Sequence, residues 1–243
     1  MDIREHNSFN SIEDEVDHWW IRTRFNYINE IMELKTNESL TIIEYGCGTC
    51  NNIYYLLNCS KYFPIIKSII GVDPNLKNLK KPKWITGNNF LLKKSFSKEN
   101  HADIILAMDV LEHIENDYST LEEWVKTLKP GGLILITVPA FMHLWSNHDT
   151  FLGHYKRYKK SELKKIALAV GLQTVKVHYA FSFIYPIVYF FRKIIPIKMS
   201  NNGDLKKSSN IVNKILSLFG YLESKVGGSR FFGTSVIGLF KKV

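Results

Sequence analysis

Only three cysteines occur in the 243 residues, Cys47, Cys50 and Cys59. So few cannot build a disulfide framework, which argues for a reducing compartment. Also missing is a basic head followed by an apolar stretch: the chain opens MDIREHNSFNSIEDEVDHWW, so no secretory leader is expected. No apolar run reaches the roughly 18–20 residues of a spanning helix. Acidic residues are almost absent from the last third, where residues 151–243 hold Glu162, Asp204 and Glu223 against 17 Lys and Arg. Residues 1–150 carry 20 acids against 15 bases, so a net charge of +9 divides into −5 and +14. That asymmetry favours an anionic partner near the C-terminal part, whether nucleic acid, a membrane surface or a phosphorylated substrate. Disorder is excluded by 45% hydrophobic and 13% aromatic residues, enough for a sizeable core. The expected location is cytoplasmic, with peripheral contact to the inner membrane face.

The hydrophobic pattern changes along the chain. Residues 11–34 carry Ile12, Val16, Trp19, Trp20, Ile28 and Ile31 at helical spacing. From residue 41, short apolar runs take over: TIIEY (41–45), SIIGVD (68–73), WIT (84–86), DIILAMD (103–109) and LILITVP (133–139). Near-continuous apolar runs separated by helical stretches suit a parallel sheet covered on both faces. Helices are expected at 117–129, capped by Asn116 or Asp117 and ended by Lys-Pro-Gly-Gly, and at 160–170 before Gly171. Two further strands, 173–179 and 234–240, flank about 50 residues of different character. The expected fold is α/β, a doubly wound Rossmann-like sheet in one domain. It divides into a helical cap (1–40), a core (41–179), a hydrophobic and basic helical insert (180–232) and a last strand (233–243).

Strand 41–45 runs into Gly46-Cys47-Gly48-Thr49-Cys50-Asn51. Glycines there let a ligand approach the backbone at the carboxyl edge of the sheet. A dinucleotide site wants glycine where Asn51 stands, which weakens a nicotinamide-dependent oxidoreductase reading. Glu44, just before the turn, suits a cationic ligand rather than a pyrophosphate. Asp73 ends the next strand, where an acid can accept both ribose hydroxyls. Together they describe a pocket for a ribose-bearing cation, S-adenosylmethionine being the obvious candidate; a plain turn with a capping Asp is the alternative.

With IIEYGCGTC (42–50), GVDPN (71–75), ITGNNF (85–90), the run from Ala102 to Ala140 and GHYKRYKKSEL (153–163), the chain resembles the class I S-adenosylmethionine-dependent methyltransferases, in their small-molecule, quinone-type branch. The resemblance implies a seven-stranded sheet. It places Glu44, Gly46, Cys47 and Gly48 against the methionine part of the cofactor, Asp73 and Pro74 at the ribose, and Asn88 near the adenine. Met108 and Asp109 would face the sulfonium and the acceptor. Cys50 replaces the family's third glycine, and Asn88 its usual Asp. DHWWIRTRF (17–25) is similar to the opening of a methyltransferase subgroup, in which Trp19 and Trp20 would close over the site and Arg22 or Arg24 reach the cofactor carboxylate; equally, the tryptophans could pack on the domain surface.

An alcohol acceptor needs a base, whereas an amine needs only to lose a proton. LWSNHDTFLGHYKRY (144–158) follows the fifth strand at the ligand edge and is rich in candidates. His148 or His154 is the expected base, with Asp149 orienting a histidine or the acceptor. Trp145, Tyr155, Arg157 and Tyr158 surround the acceptor, together with His113, which is read mainly as a helix-start residue. Arg157 would hold an anionic group, or else pair structurally with nearby acids, as His154 also would. No metal is expected, because the His and Asp spacings fit no standard ligand pattern.

The insert begins with 15 formally uncharged residues, 177–191, followed by Arg192-Lys193, and continues with IVNKILSLFGYLESKVG (211–227). Aromatic and basic-edged, residues 178–227 suit an anionic membrane surface or lipid substrate, or a lid or homodimer interface. Nucleic acid is disfavoured, since the aromatics are not interleaved with the basic residues. The reading is a methyltransferase acting on a small or lipid-linked acceptor, at oxygen. The alternatives are N-methylation of an anionic small molecule and a membrane-associated, non-catalytic S-adenosylmethionine-binding protein.

Overall fold

In the computed structural model, residues 9–35, 39–75, 89–193 and 209–243 are described. The chain begins with two helices, α1 (Ile12–Asp17) and α2 (Trp19–Glu33), separated by the extended backbone of His18. Then follow β1 (Leu40–Tyr45), α3 (Asn51–Asn58), β2 (Ile66–Val72), β3 (Phe90–Lys93), β4 (Ala102–Met108), α4 (Asp117–Thr127) and β5 (Leu128–Pro139). The second half holds α5 (Asn147–Leu152), α6 (Lys160–Ala169), β6 (Leu172–Ala180), α7 (Tyr185–Lys193), α8 (Asn210–Lys225) and β7 (Ser235–Lys242).

The seven strands form one sheet in the order β3-β2-β1-β4-β5-β7-β6, a Rossmann-like α/β arrangement. The first five strands in sequence pair in parallel, and both faces are covered. Neighbouring isoleucines point to opposite cores: Ile42, Ile69 and Ile104 lie under α2 and α3, while Ile43, Ile70 and Ile105 lie under α4 and α6. This is why those runs read as continuously apolar instead of alternating. β7 departs from the parallel pattern and runs antiparallel to both neighbours. The reason is where the insert returns: Ser229 pairs with Tyr179 and Thr234 donates to Ala180 O, both at the carboxyl end of β6. A chain entering at that edge can only run back down the sheet.

The apolar run 84–86 and Asn88 lie outside the described residues, and the third strand is Phe90–Lys93, a segment the hydrophobic pattern did not single out. The insert's second helix packs on the N-terminal cap. Gly220 of α8 abuts Thr23, where a Cβ would overlap the threonine side chain, and Asn213 accepts from Trp19 N at 2.7 Å. Glu223 fastens α8 to the end of β6 by accepting from Phe181 N at 2.6 Å and Ser182 N at 2.8 Å. Among the described residues, no helix is long and apolar enough to cross a membrane.

Candidate active site

Parallel strands deliver their carboxyl ends to one edge, and the backbone is unusual there. Asp109 after β4, Phe141 after β5 and Phe181 after β6 all have positive φ, of 57°, 58° and 57°. Such values cost a non-glycine residue energy and mark places where tertiary structure imposes the path. A cleft of about 1390 Å³ opens along this edge, from Gly46, Gly48, Asp73 and Pro74 past Asp109 to His113 and Tyr155.

At the cofactor end, Gly46 sits at φ +67°, and any Cβ there would collide with Val110. Gly48 N donates to Asp73 Oδ2 at 3.0 Å, and Asp73 Oδ1 accepts from Asn75 N at 2.9 Å, so the glycine turn and the acid after β2 are one unit. Asn51, which breaks the dinucleotide pattern, has a different task. Its Nδ2 donates to the buried Glu15 of α1 at 2.8 Å, and Thr49 Oγ1 donates to the same carboxylate at 2.7 Å. The cap is thereby latched to the turn through Glu15, a residue the linear pattern gave no reason to select. Cys47 and Cys50 are both buried, with Cys50 in the left-handed region at φ 63° opening α3.

Glu44 is buried beneath this turn. Asn52 Nδ2 donates to its Oε1 at 2.6 Å, while Oε2 has no hydrogen-bond partner among the described residues. Burial pushes its carboxyl up to about 7, against the Asn52 hydrogen bond and the charge of Arg24. Arg24 of α2 is equally buried. It donates from Nη2 to Met108 O at 3.1 Å and lies 3.4 Å from Asp109 Oδ2 through Nη1, with Nε and Nη1 hydrogen-bonded to none of the described residues. A buried cation and buried acids holding unused polar atoms fit the carboxylate and ammonium of an amino-acid moiety. Arg22, by contrast, forms a surface pair with Asp17 at 3.0 Å. Trp20 stacks on Phe181, 5.8 Å between ring centroids, with Arg24 over its face, and does not line the cleft. The aromatic cap therefore closes on the insert.

At the other end, Asp149 is wholly buried and closes the capping box of α5 with Ser146. It accepts from Arg157 Nε at 2.7 Å and Nη2 at 3.1 Å, and pairs with His154 Nδ1 at 2.9 Å. Burial opposes its ionisation, but the His154 hydrogen bond and the Arg157 charge outweigh burial and hold the carboxyl well below its ordinary range. Gly153, at φ +68°, ends α5 and turns the chain, and Tyr155 N donates to Glu112 O at 2.7 Å. That bond sets His154 against His113, with ring centroids 4.6 Å apart.

Two expected acceptor contacts are corrected. Arg157 is turned inward, with Nη1 donating to Ala140 O at 3.1 Å, so its fork serves Asp149 and not an anionic acceptor. Tyr158 is wholly buried and donates to Asp117 Oδ2 at 2.8 Å. A tyrosine buried in the core satisfies its hydroxyl internally, and sequence position alone does not reveal that. His148 lies half-buried on α5 and Trp145 donates to Thr150 Oγ1 at 3.3 Å; neither lines the cleft, and His154 sits just behind its wall, between the lining residues Gly153 and Tyr155. Tyr155 and His113 do.

A family model described as a methyltransferase domain matches residues 19–177. This chain belongs to that family. O-methyltransferase 3 of Dictyostelium discoideum is 31% identical over 150 residues, covering 55% of this chain and 33% of that protein. A ubiquinone biosynthesis O-methyltransferase of Rhodopseudomonas palustris strain BisB18 is 29% identical over 104 residues, covering 40% of this chain and 39% of the relative. The methyltransferase thus spans between a third and two fifths of the curated relatives it matches. Among solved structures, a chain of the Haloferax volcanii Trm112 activator–methyltransferase complex superposes with a TM-score of 0.60 at 14% identity, covering 99% of this chain and 98% of that one. The 1,6-didemethyltoxoflavin-N1-methyltransferase of Burkholderia thailandensis, crystallised with S-adenosylhomocysteine, gives 0.53 at 13% identity, covering 91% and 78%. At such identities these structures establish the fold. For a class I methyltransferase the cofactor is S-adenosylmethionine, and Glu44, Arg24, the glycine turn and Asp73 are the groups that would hold it.

Proposed function

We propose that this methyltransferase methylates a small or lipid-linked acceptor at oxygen. The observation that carries the reading is the Asp149–His154 pair set against His113 at the ligand edge, beyond Asp109. Bound S-adenosylmethionine supplies an electrophilic methyl on a sulfonium. Arg24 and Glu44 orient its amino-acid end, Asp73 its ribose, and the Gly46–Gly48 turn admits it close to the backbone. Asp149 keeps the proton of His154 on Nδ1, so that Nε2 carries the lone pair and His154 removes a proton from an acceptor hydroxyl. The names of the curated relatives, both O-methyltransferases, agree with an oxygen acceptor, which needs such a base more than an amine does. Held in near-attack geometry, the acceptor needs little further catalysis.

Asp73→Ala is expected to weaken S-adenosylhomocysteine binding more than tenfold in calorimetric titration, and wild-type affinity would refute the pocket assignment. A lipid-linked acceptor is supported by the insert. Ile187, Phe190 and Phe191 on α7 are exposed beside Arg192 and Lys193, and Ile211, Ile215, Leu218 and Leu222 are exposed on α8. Phe190 and Phe191 both changed to Ser should at least halve sedimentation with phosphatidylglycerol vesicles at low salt. Equal sedimentation of variant and wild type would remove the membrane role.

A further inference from the structure

A 3₁₀ turn over Leu111–His113 and the turn after α5 meet at the acceptor end of the cleft. One ligand atom from each of Glu112, His113 and His154 falls within 4.8 Å of the others. Two imidazoles and one carboxylate are the donor set of three-ligand divalent sites that keep an open position. We infer that Glu112, His113 and His154 form a site for a borderline divalent cation such as Zn²⁺, with its open position toward the acceptor end of the cleft.

Glu112 is the independent observation. It is 1% exposed, and its Oε2 has no hydrogen-bond partner among the described residues, an arrangement that costs free energy unless something is bound there. The second support lies behind His154. Asp149 takes its Nδ1 at 2.9 Å, and a carboxylate behind a histidine fixes the tautomer, orients the ring and raises its basicity as a metal ligand. Arg157 lies bidentate against that same carboxylate, which keeps Asp149 ionised and in place. A linear reading does not find this set, because His113 and His154 are 41 positions apart in the sequence.

The inference rests on the proposed reaction only for the cation's role: once His154 Nε2 is a ligand it has no lone pair for a proton, so the cation takes over from His154 the activation of the acceptor oxygen. It would coordinate the acceptor oxygen and lower the pKa of a hydroxyl there, whose proton passes to solvent. The oxygen then takes the methyl carbon while the C–S electron pair returns to sulfur, leaving neutral S-adenosylhomocysteine.

The test uses the full chain stripped with chelator and titrated with Co²⁺, whose visible ligand-field bands report nitrogen and oxygen coordination. One-to-one saturation at micromolar Co²⁺, displaceable by Zn²⁺, is expected for wild type and for a His101→Ala control. Glu112→Gln and His113→Ala should each weaken binding at least tenfold; His113 is only partly buried, so its variant tests the site even if Glu112→Gln misfolds. No saturable band, or equal binding in both variants, would overturn the inference. If Co²⁺ fails to bind while His154→Gln still abolishes methyl transfer, direct base catalysis stands and the metal site falls.

Discussion

Asp149→Ala is expected to lower stability by about 3–5 kcal/mol, the range for removing one partner of a buried ion pair. Its carboxylate is wholly buried and compensates Arg157 through two bonds, with Arg192 Nη1 a further 3.6 Å away. Without it, Arg157 is a buried guanidinium left with the Ala140 carbonyl. For a chain of this size each kcal/mol moves Tm by roughly 2–4 °C, so a fall on the order of 10 °C is expected by scanning calorimetry. Asp149→Asn keeps the shape and one acceptor, and should fall in between. The same change releases His154 from its tautomer, so turnover should collapse even where the fold survives at low temperature. A loss below about 1 kcal/mol would mean that Arg157 finds another partner.

The second large effect concerns pH. Burial lifts the Glu44 carboxyl to about 7, from an ordinary value of 4.5. A carboxyl raised on folding favours the folded state below the unfolded value and loses that contribution as pH rises through the folded one. Glu44 thus costs the ligand-free protein on the order of 3 kcal/mol at pH 8 relative to pH 4. A cationic ligand that needs the carboxylate ionised reverses the balance. Affinity for S-adenosylmethionine should therefore rise about tenfold from pH 6 to pH 8, as Glu44 passes from mostly protonated to mostly ionised. Glu44→Gln should bind more weakly at pH 8 and flatten that dependence. It should also gain thermal stability relative to wild type as pH increases. The difference between the two proteins isolates Glu44 from other groups titrating nearby, Glu112 among them. Parallel pH profiles would mean that Glu44 ionises before the ligand arrives.

Much of this was legible in the residues themselves. The apolar runs at 41–45, 68–73, 103–109 and 133–139 sit on strands because both faces of a parallel sheet must be buried, and such runs are visible in any single segment. Helices at 117–127 and 160–169 were marked by local caps and stops. The edge position of Glu44, the glycine turn and Asp73 was legible for the same reason: short strands carry them to one edge, where residue type and local spacing are the grounds for proposing a cationic, ribose-bearing ligand.

Tertiary structure decided what those neighbourhoods do to one another. Trp20, for which a lid over the cofactor and packing on the domain were equally open, stacks on Phe181 because a positive-φ residue after β6 brings the insert over the cap. Arg157, read as an anion clamp, turns inward because Asp149 is buried beside it and needs compensation. Glu15 latches the cap to the glycine turn from 34 residues away. Composition, period and motif therefore determined the fold class, the cofactor edge and the charge asymmetry, all short-range properties of the chain. Long-range packing alone decided which histidine meets which acid, because the desolvation that makes a buried charge seek a partner exists only once the core has closed around it.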